Sequence, residues 1–298
     1  MNSSGYIETI RPGLYSSIQD MGRTHFLSYG VPIGGAMDRY AHKLANLYLQ
    51  NEEDAATLEM TFVGPELQFS SETEIVITGA DLSPKLNGQP VSNSVVIQIK
   101  AEDILSFGSA RSGVRAYLGI KHGFKTLVRL GSRGWTIGIT PNSRLEEGMK
   151  LTYVTSAFHL KNTDVGDTNA IVAEREFNME RPVGVFRGPE FHLLTAGQQA
   201  ALLEGVFTIG KASDRMGIQL DGQMENNLEP IITGPVLPGT VQLTPSGRLI
   251  VLMRDCQTTG GYPRILQLTN RGLDHMAQKT MGKEVSWQLE NIDGINGS

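Results

Sequence analysis

The sequence predicts a mainly β protein with a few helices, organised as two related halves. Three observations carry that expectation. Short alternating or apolar runs recur between turn signals, and 34 glycines are spread through 298 residues. Many short strands with frequent turns favour a barrel or sandwich over a doubly wound sheet. Amphipathic helical stripes are few, and several short motifs occur twice.

Expected strands are Glu74–Thr78, Val95–Ile99, Ile104–Phe107, Arg115–Ile120, Val206–Ile209, Thr240–Leu243, Leu249–Met253 and Ile265–Leu268, each an alternating or fully apolar run. The strongest helix spans Met37–Gln50, where Met37, Tyr40, Ala41, Leu44, Ala45, Leu47 and Tyr48 fall on one stripe. Thr195–Glu204 and Gly272–Lys279 are shorter helical candidates. The polar stretch within 161–182, with Thr163, Asp164, Gly166, Asp167 and Thr168 together, reads as a linker between halves at 1–160 and 183–298.

The repeat supports those halves. Gly64-Pro65-Glu66-Leu67 returns as Gly188-Pro189-Glu190-Phe191, and Lys85-Leu86-Asn87-Gly88-Gln89 is echoed by Gln219-Leu220-Asp221-Gly222-Gln223. An apolar strand, a polar loop and a second strand follow in each half. The offset drifts from about 124 to about 145 residues, as loop insertions would make it. A duplicated β unit commonly carries its functional cleft between the copies.

Composition excludes several classes. The net charge is −5 and no basic run exists, so neither a duplex nucleic acid nor an anionic membrane surface is expected. No signal peptide is read at the N-terminus, and Leu249–Met253, the longest strongly apolar run, is far too short to span a bilayer. The single cysteine, Cys256, excludes an internal disulfide and a thiolate metal cage. The six histidines show no HxH or HExxH spacing, so no metal is expected. No GxxxxGK[ST], GxGxxG or GxSxG motif occurs. The expectation is a soluble, cytoplasmic protein.

Four clusters carry chemistry, each with two readings. Ser17–Arg23 and Gly30–Asp38 lead into the best helix. They form either an anion-cradling loop or a Gly34-Gly35 turn with Asp38 complementing the helix dipole. Glu59 and Asp81 sit among apolar neighbours: either they are acids of raised pKa, or they cap a turn or pair with Arg115. Asp214 and Arg215 form either a polar substrate site or a turn with a local ion pair. The run Arg254–Pro263 follows an apolar strand and has few structural reasons to be so polar, which marks it as functional. Cys256 within it reads as an inert thiol more readily than as a nucleophile.

These clusters resemble the C subunit of 5-oxoprolinase and its relatives, the allophanate-hydrolase subunit 2-like proteins and the carboxyltransferase domain of urea carboxylase. The residues that carry the resemblance are Ser17–Arg23, Gly30–Asp38, Ala45-Asn46, Leu58-Glu59-x-Thr61, Gly64-Pro65, Gly79-Ala80-Asp81, Asn87-Gly88, Gly113-x-Arg115-Ala116-Tyr117-Leu118 and Gly131-Ser132-Arg133. Asp214-Arg215-Met216-Gly217, Gly239-x-x-Gln242, Asp255-x-Gln257-Thr258-Thr259-Gly260-Gly261-Tyr262-Pro263 and Ala277-Gln278 continue it through almost the whole chain.

The resemblance implies two cyclophilin-like β-barrel units and work in a hetero-oligomeric complex. Its other members would be a sister B-type subunit of similar fold and an A-type subunit related to lactam hydrolases. The complex would open 5-oxo-L-proline to L-glutamate with ATP, held by the complex rather than by this chain alone. Relatives fused to a biotin carboxylase instead carboxylate urea, with biotin arriving on another chain; a third implied role is binding a sister subunit of a kinase-inhibitor type. Gln19, Asp20, Arg23 and Asp38, supported by Glu59 and Arg115, would line the first half of the cleft. Asp214, Arg215, Gln242, Asp255, Thr258 and Tyr262 would contribute from the second. Asp38 and Asp255 are the expected acid–base or orienting groups. Two positions depart from the family pattern: Gly134 follows Gly131-Ser132-Arg133, and Gly272 stands where an acidic residue is expected before Ala277-Gln278.

Overall fold

The computed structural model describes residues 4–155 and 180–291. The chain divides into two compact units, and the division is not sequential. The first holds residues 4–21 and 39–155, the second residues 22–38 and 180–291. Most of the predicted linker 161–182 lies outside the described residues.

The first unit contains β1 (Ser4–Arg11), β2 (Tyr15–Gln19), α1 (Arg39–Tyr48), β3 (Thr57–Thr61), β4 (Glu66–Phe69) and β5 (Thr73–Asp81). It continues through β6 (Lys85–Leu86), β7 (Gln89–Pro90), β8 (Ile97–Ile99), β9 (Ile104–Ser106), β10 (Ser112–Ile120) and β11 (Lys150–Val154). They form a six-stranded sheet, β11-β1-β4-β9-β6-β7, and a five-stranded sheet, β2-β3-β10-β5-β8. Both sheets feed one apolar core: Ile7, Leu67, Phe69, Leu105 and Tyr153 from the first meet Ile18, Leu58, Met60, Ile75, Ile77 and Leu118 from the second. Each such buried side chain contributes about 1.5–3 kcal/mol.

Strand parity explains where α1 sits. Side chains alternate across a sheet, so if Ile75, Ile77, Ala116 and Leu118 face the core, Val76, Thr78, Tyr117 and Gly119 face away from it. Helix α1 covers that second face, with Ala45 and, just past the helix end, Leu49 on Val76. Gly119 permits the approach, since a Cβ there would lie 3.0 Å from Leu49 Cδ1. The predicted stripe is thus partly right. Ala41, Leu44 and Ala45 are buried, but His42 and Asn46 share their face while Leu47 is exposed. Met37 does not belong to the helix at all; it is buried in the core of the second unit.

The second unit contains β12 (Val183–Arg187), α2 (Ala196–Glu204), β13 (Phe207–Ser213), β14 (Gly217–Asp221), β15 (Gly234–Pro235) and β16 (Thr240–Leu243). It ends with β17 (Leu249–Leu252), β18 (Thr259–Gly260), β19 (Arg264–Leu268), α3 (Asn270–Ala277), β20 (Glu284–Val285) and β21 (Trp287–Leu289). Eight strands make one sheet, β20-β13-β14-β17-β16-β19-β12-β21. Its two edge strands, β20 and β21, are separated in sequence only by Ser286, so the sheet curls into a nearly closed barrel. Curling hides edges that would otherwise template association. Thr195 starts α2 with a capping box, its hydroxyl accepting from Gln198 N and its own N–H donating to Gln198 Oε1. Thr269 caps α3 by accepting from Gly272 N at 2.9 Å.

All eight predicted strands and all three helices are present, with ends shifted by a few residues. Strands β1 to β4, β6, β7, β11, β12, β14, β15, β18, β20 and β21 have no counterpart among the sequence-predicted ones. The sequence-matched Gly-Pro-Glu motifs differ locally: Glu66 opens strand β4, whereas Glu190 precedes a short 3₁₀ turn at Phe191–Leu193.

Candidate functional site

In the first unit, the antiparallel register sets a polar row on the sheet face beneath α1. Ser17 pairs across to Glu59, Glu59 to Tyr117, and Tyr117 to Thr78. One register step away, Gln19 faces Thr57, and on the other side Arg115 faces Thr61. The same strands thus present apolar core on one face and this row on the other.

Glu59 accepts a 2.8 Å hydrogen bond from the Tyr117 hydroxyl, and its other oxygen lies 3.9 Å from Arg115 Nε. Glu59 thus lies beside Arg115, whereas Asp81 caps a turn by accepting from Ser83 N at 2.7 Å. Thr78 donates to the Ala41 carbonyl of α1 at 2.7 Å. His42 is wholly buried, with Nδ1 2.9 Å from Thr57 Oγ1 and Nε2 3.4 Å from the Asn46 amide nitrogen. Burial drives the His42 pKa down to about 4, outweighing the opposing pull of the Asp20 and Glu59 carboxylates, so the ring is neutral near pH 7.

Gln19 and Asp20 close this row. Gln19 Nε2 donates to Ser17 Oγ and to the Trp135 carbonyl, while its Oε1 is shielded from solvent and has no partner among the described residues. Asp20 accepts from Ser132 Oγ at 2.7 Å and from Arg133 N at 2.6 Å. Gly134 lies at their meeting point: a Cβ there would come within 3.2 Å of Gln19 Oε1, Asp20 Oδ1 and Ser132 Oγ. The departure at Gly134 therefore makes room for converging polar groups.

In the second unit, the segment 22–38 is tied down by residues far along the chain. Gly22 and Gly34, both at positive φ, allow Arg23 N to reach Ile33 O at 2.7 Å. Gly34 N donates to Arg254 O, so this amide belongs to a structural bond and not to an open anion cradle. Arg215 grips Asp255 with Nε at 2.7 Å and Nη2 at 3.0 Å, and the same Nη2 reaches Gly35 O at 2.7 Å. Asp38 accepts from Gln278 Nε2 at 2.8 Å, and Arg254 contacts Asp274 at 3.3 Å. Arg23, Asp38, Arg215, Arg254, Asp274 and Gln278 are all buried.

The remaining predicted residues have local duties. Asp214 is exposed and folds its own turn, accepting from Met216 N and Gly217 N. Gln242 is buried in β16 and reaches the Tyr262 carbonyl at 3.4 Å. The Thr258 carbonyl accepts from Val236 N, beside the small β15–β18 ribbon, and the Tyr262 side chain is partly exposed. Burial raises the Cys256 thiol to about 12, so it is a protonated packing residue. Among the described residues no group of three or more His, Cys, Asp or Glu is arranged to hold a metal ion.

Sequence reasoning places Arg23 and Asp38 with Gln19 and Asp20; the structure groups the first pair with the second unit and the other two with the first. It overlooks His42, Thr57 and Tyr117, although the alternation of Val114, Ala116 and Leu118 with Arg115 and Tyr117 signals a polar face. It also overlooks Asp274. Asp274 and Gln278 stand four residues apart, hence on one side of α3 and its cap, and that spacing is the available signal. Gly272 is a packing requirement, because a Cβ there would lie 2.5 Å from the Gly184 carbonyl; Asp274 supplies the buried carboxylate of this helix.

The chain is 29% identical over 285 residues to the C subunit of 5-oxoprolinase from Escherichia coli (strain K12), covering 94% of this chain and 89% of that protein. It is 40% identical over 127 residues to urea amidolyase of Saccharomyces cerevisiae, or 42% of this chain and 7% of that one. The solved K. lactis urea amidolyase superposes with a TM-score of 0.83 at 25% identity, covering 95% of this chain and 18% of the longer protein. Residues 29–289 match the carboxyltransferase domain, subdomain A and B, and the chain belongs to that family.

Proposed function

We propose that this chain is the C subunit of an ATP-dependent 5-oxoprolinase complex that converts 5-oxo-L-proline to L-glutamate. The observation that carries the reading is the extent of the likeness to the Escherichia coli protein, which runs through 94% of this chain. The partners would be a sister B-type subunit of similar fold and an A-type subunit related to lactam hydrolases, in the cytoplasm where ATP is supplied. The two units would be cyclophilin-like copies of one ancestral β unit.

A lactam carbonyl is a poor electrophile because amide resonance feeds it. Phosphorylation of the carbonyl oxygen by ATP would release ADP and make the ring carbon electrophilic. Water would add to it, the C–N bond would break with the nitrogen leaving as a protonated amine, and hydrolysis of the resulting acyl phosphate would release phosphate and L-glutamate. ATP would be a co-substrate of the complex, since no phosphate-binding loop motif occurs here. Buried guanidiniums such as Arg23 and Arg215 suit the stabilisation of a carboxylate or developing phosphate. The two-pronged grip of Arg215 on Asp255 makes Asp255 a positioning residue, and Asp38, held by Gln278, is placed to orient or exchange a proton. Gln19, Asp20, Glu59, Arg115, Asp214, Gln242, Thr258 and Tyr262 complete the proposed binding residues.

The test is to assemble the chain with its A-type and B-type partners and follow glutamate release from 5-oxo-L-proline. Release that needs ATP and all three proteins is the expected result; a folded three-component assembly that makes none overturns the reading. Asp255→Asn is expected to lose turnover while the assembly still forms, and full activity in that variant removes Asp255 from the site. The likeness to urea amidolyase favours one second reading, a carboxyltransferase acting on urea or a similar amide. Biotin would then arrive on another chain, and carboxyl transfer from carboxybiotin would replace glutamate release.

A further inference from the structure

The first unit carries a cavity of about 400 Å³ whose lining is divided by charge. His122, Lys125 and Arg133 supply cationic or neutral nitrogen donors, and Asp20, Glu52 and Asp54 supply carboxylates, of which Asp20 is already engaged by Ser132 Oγ and Arg133 N. Its floor is pinned. Asn51 Oδ1 accepts from His122 N at 2.7 Å, its Nδ2 donates to Ile120 O at 2.9 Å, and Phe124 N donates to Ala56 O at 3.0 Å. Gly123, at positive φ, lets the two loops touch, since a Cβ there would lie 2.9 Å from Ala55 Cβ. A preformed pocket of this size suits a small molecule.

The cations are held without being neutralised. Lys125 Nζ donates to the His122 carbonyl and Arg133 Nη1 to the Thr126 carbonyl, while Arg133 N donates to Asp20. Neither head group has an ion-pair partner among the described residues, so most of their N–H donors are left over. Burial and the neighbouring Arg133 lower the Lys125 ammonium from its ordinary value, as expected of cations lacking a counter-ion. Glu52 and Asp54 likewise have no side-chain partner among the described residues, and no ion pair joins them to the cations. The pocket thus offers separated charges of both signs.

We propose that this pocket binds a small amino acid with a free carboxylate and a free ammonium, the carboxylate on Lys125 and Arg133 and the ammonium on Glu52 and Asp54. The choice of L-glutamate as that ligand rests on the function proposed above. Opening the lactam creates the ammonium, whereas the ring nitrogen of 5-oxo-L-proline is a neutral amide. The site therefore discriminates product from substrate, and suits product sensing on this chain.

Calorimetric titration of the purified full chain tests it, with L-glutamate, glycine and 5-oxo-L-proline as probes. The expected result is that L-glutamate and glycine bind and that 5-oxo-L-proline is at least about 10-fold weaker. The double variant E52Q/D54N, exposed and so folded normally by circular dichroism, should weaken L-glutamate by about 10-fold and leave 5-oxo-L-proline unchanged. Equal binding of the two, or no binding of either amino acid, overturns the proposal. The titration needs no partner protein and no ATP. An assembly that fails to release glutamate would sink the functional reading alone, and glycine would still report on the pocket.

Discussion

The two units each bury an arginine beside a carboxylate, and they do so differently. In the first, Glu59 takes a hydrogen bond from Tyr117 while Arg115 Nε stands 3.9 Å away, too far for a hydrogen bond. In the second, Asp255 receives two N–H groups from Arg215, whose guanidinium also clasps the Gly35 carbonyl. The first is a row set by strand register, in which neighbours are fixed by the sheet. The second is a clamp that fastens a segment nearly two hundred residues distant. A clamp concentrates its energy in one geometry, whereas a row spreads it across several weaker contacts.

The sharpest way to break this contrast is Asp255→Asn. A single amide oxygen cannot match both carboxylate oxygens of the fork, and the negative charge beside the buried Arg215 is removed, so a loss of about 3–5 kcal/mol in urea unfolding is expected. An unchanged urea midpoint would mean that the clamp holds nothing.

The next effect is a pH dependence belonging to the first unit. The folded-state pKa of His42 is lowered to about 4 from 6.5, so below pH 6.5 the unfolded chain takes up a proton that the native state refuses. Stability should fall as pH drops from about 6.5 towards 4, by on the order of 3 kcal/mol from this group. His42→Asn should flatten that part of the urea-midpoint profile, and an identical slope in wild type and variant would contradict the assignment.

Glu59→Gln sharpens the row. Its amide oxygen still accepts from Tyr117, so the expected loss is about 1–2 kcal/mol, smaller than for Asp255→Asn. A loss equal to that of Asp255→Asn would erase the distinction between row and clamp.

The smallest effects come from the sequence-matched glutamates. Glu190 receives Arg264 Nε, Nη2 and backbone N at 2.8–3.0 Å, and those bonds hold its carboxyl below the usual range. Its stabilisation is present above pH 4.5 and is lost as pH falls through the lowered value. Glu66 pairs with Arg11, which is largely exposed. Thermal denaturation should show a cost of about 1.5 kcal/mol for Glu190→Gln and under about 0.5 kcal/mol for Glu66→Gln. Equal costs would mean that the matched motifs are energetically alike.

Strands such as Thr240–Leu243 and Leu249–Leu252 are legible in the sequence because apolar runs bounded by turns leave few alternatives. Strands β2 and β3 are not, since Ser-Ser-Ile-Gln and Thr-Leu-Glu-Met place polar groups on a face that α1 later covers. The same covering hides His42, which with Asn46 interrupts the apolar helix face of Ala41, Leu44 and Ala45 until Thr57 is found opposite it. Asp255 and Arg215 stand out individually, but their pairing across 40 positions is not visible in the sequence.

The sequence alone determined the β-rich class, the helix positions to within a few residues and the family, because these rest on local pattern and on motifs read in order. The tertiary structure alone decided that residues 22–38 leave the unit on either side of them and join the second. That allegiance is made by Arg215 on Gly35 and Gln278 on Asp38, bonds spanning 180 and 240 positions, and by Met37 in a distant apolar core. No local propensity encodes contacts of that range; they exist only once both segments have folded and their buried polar groups must find partners.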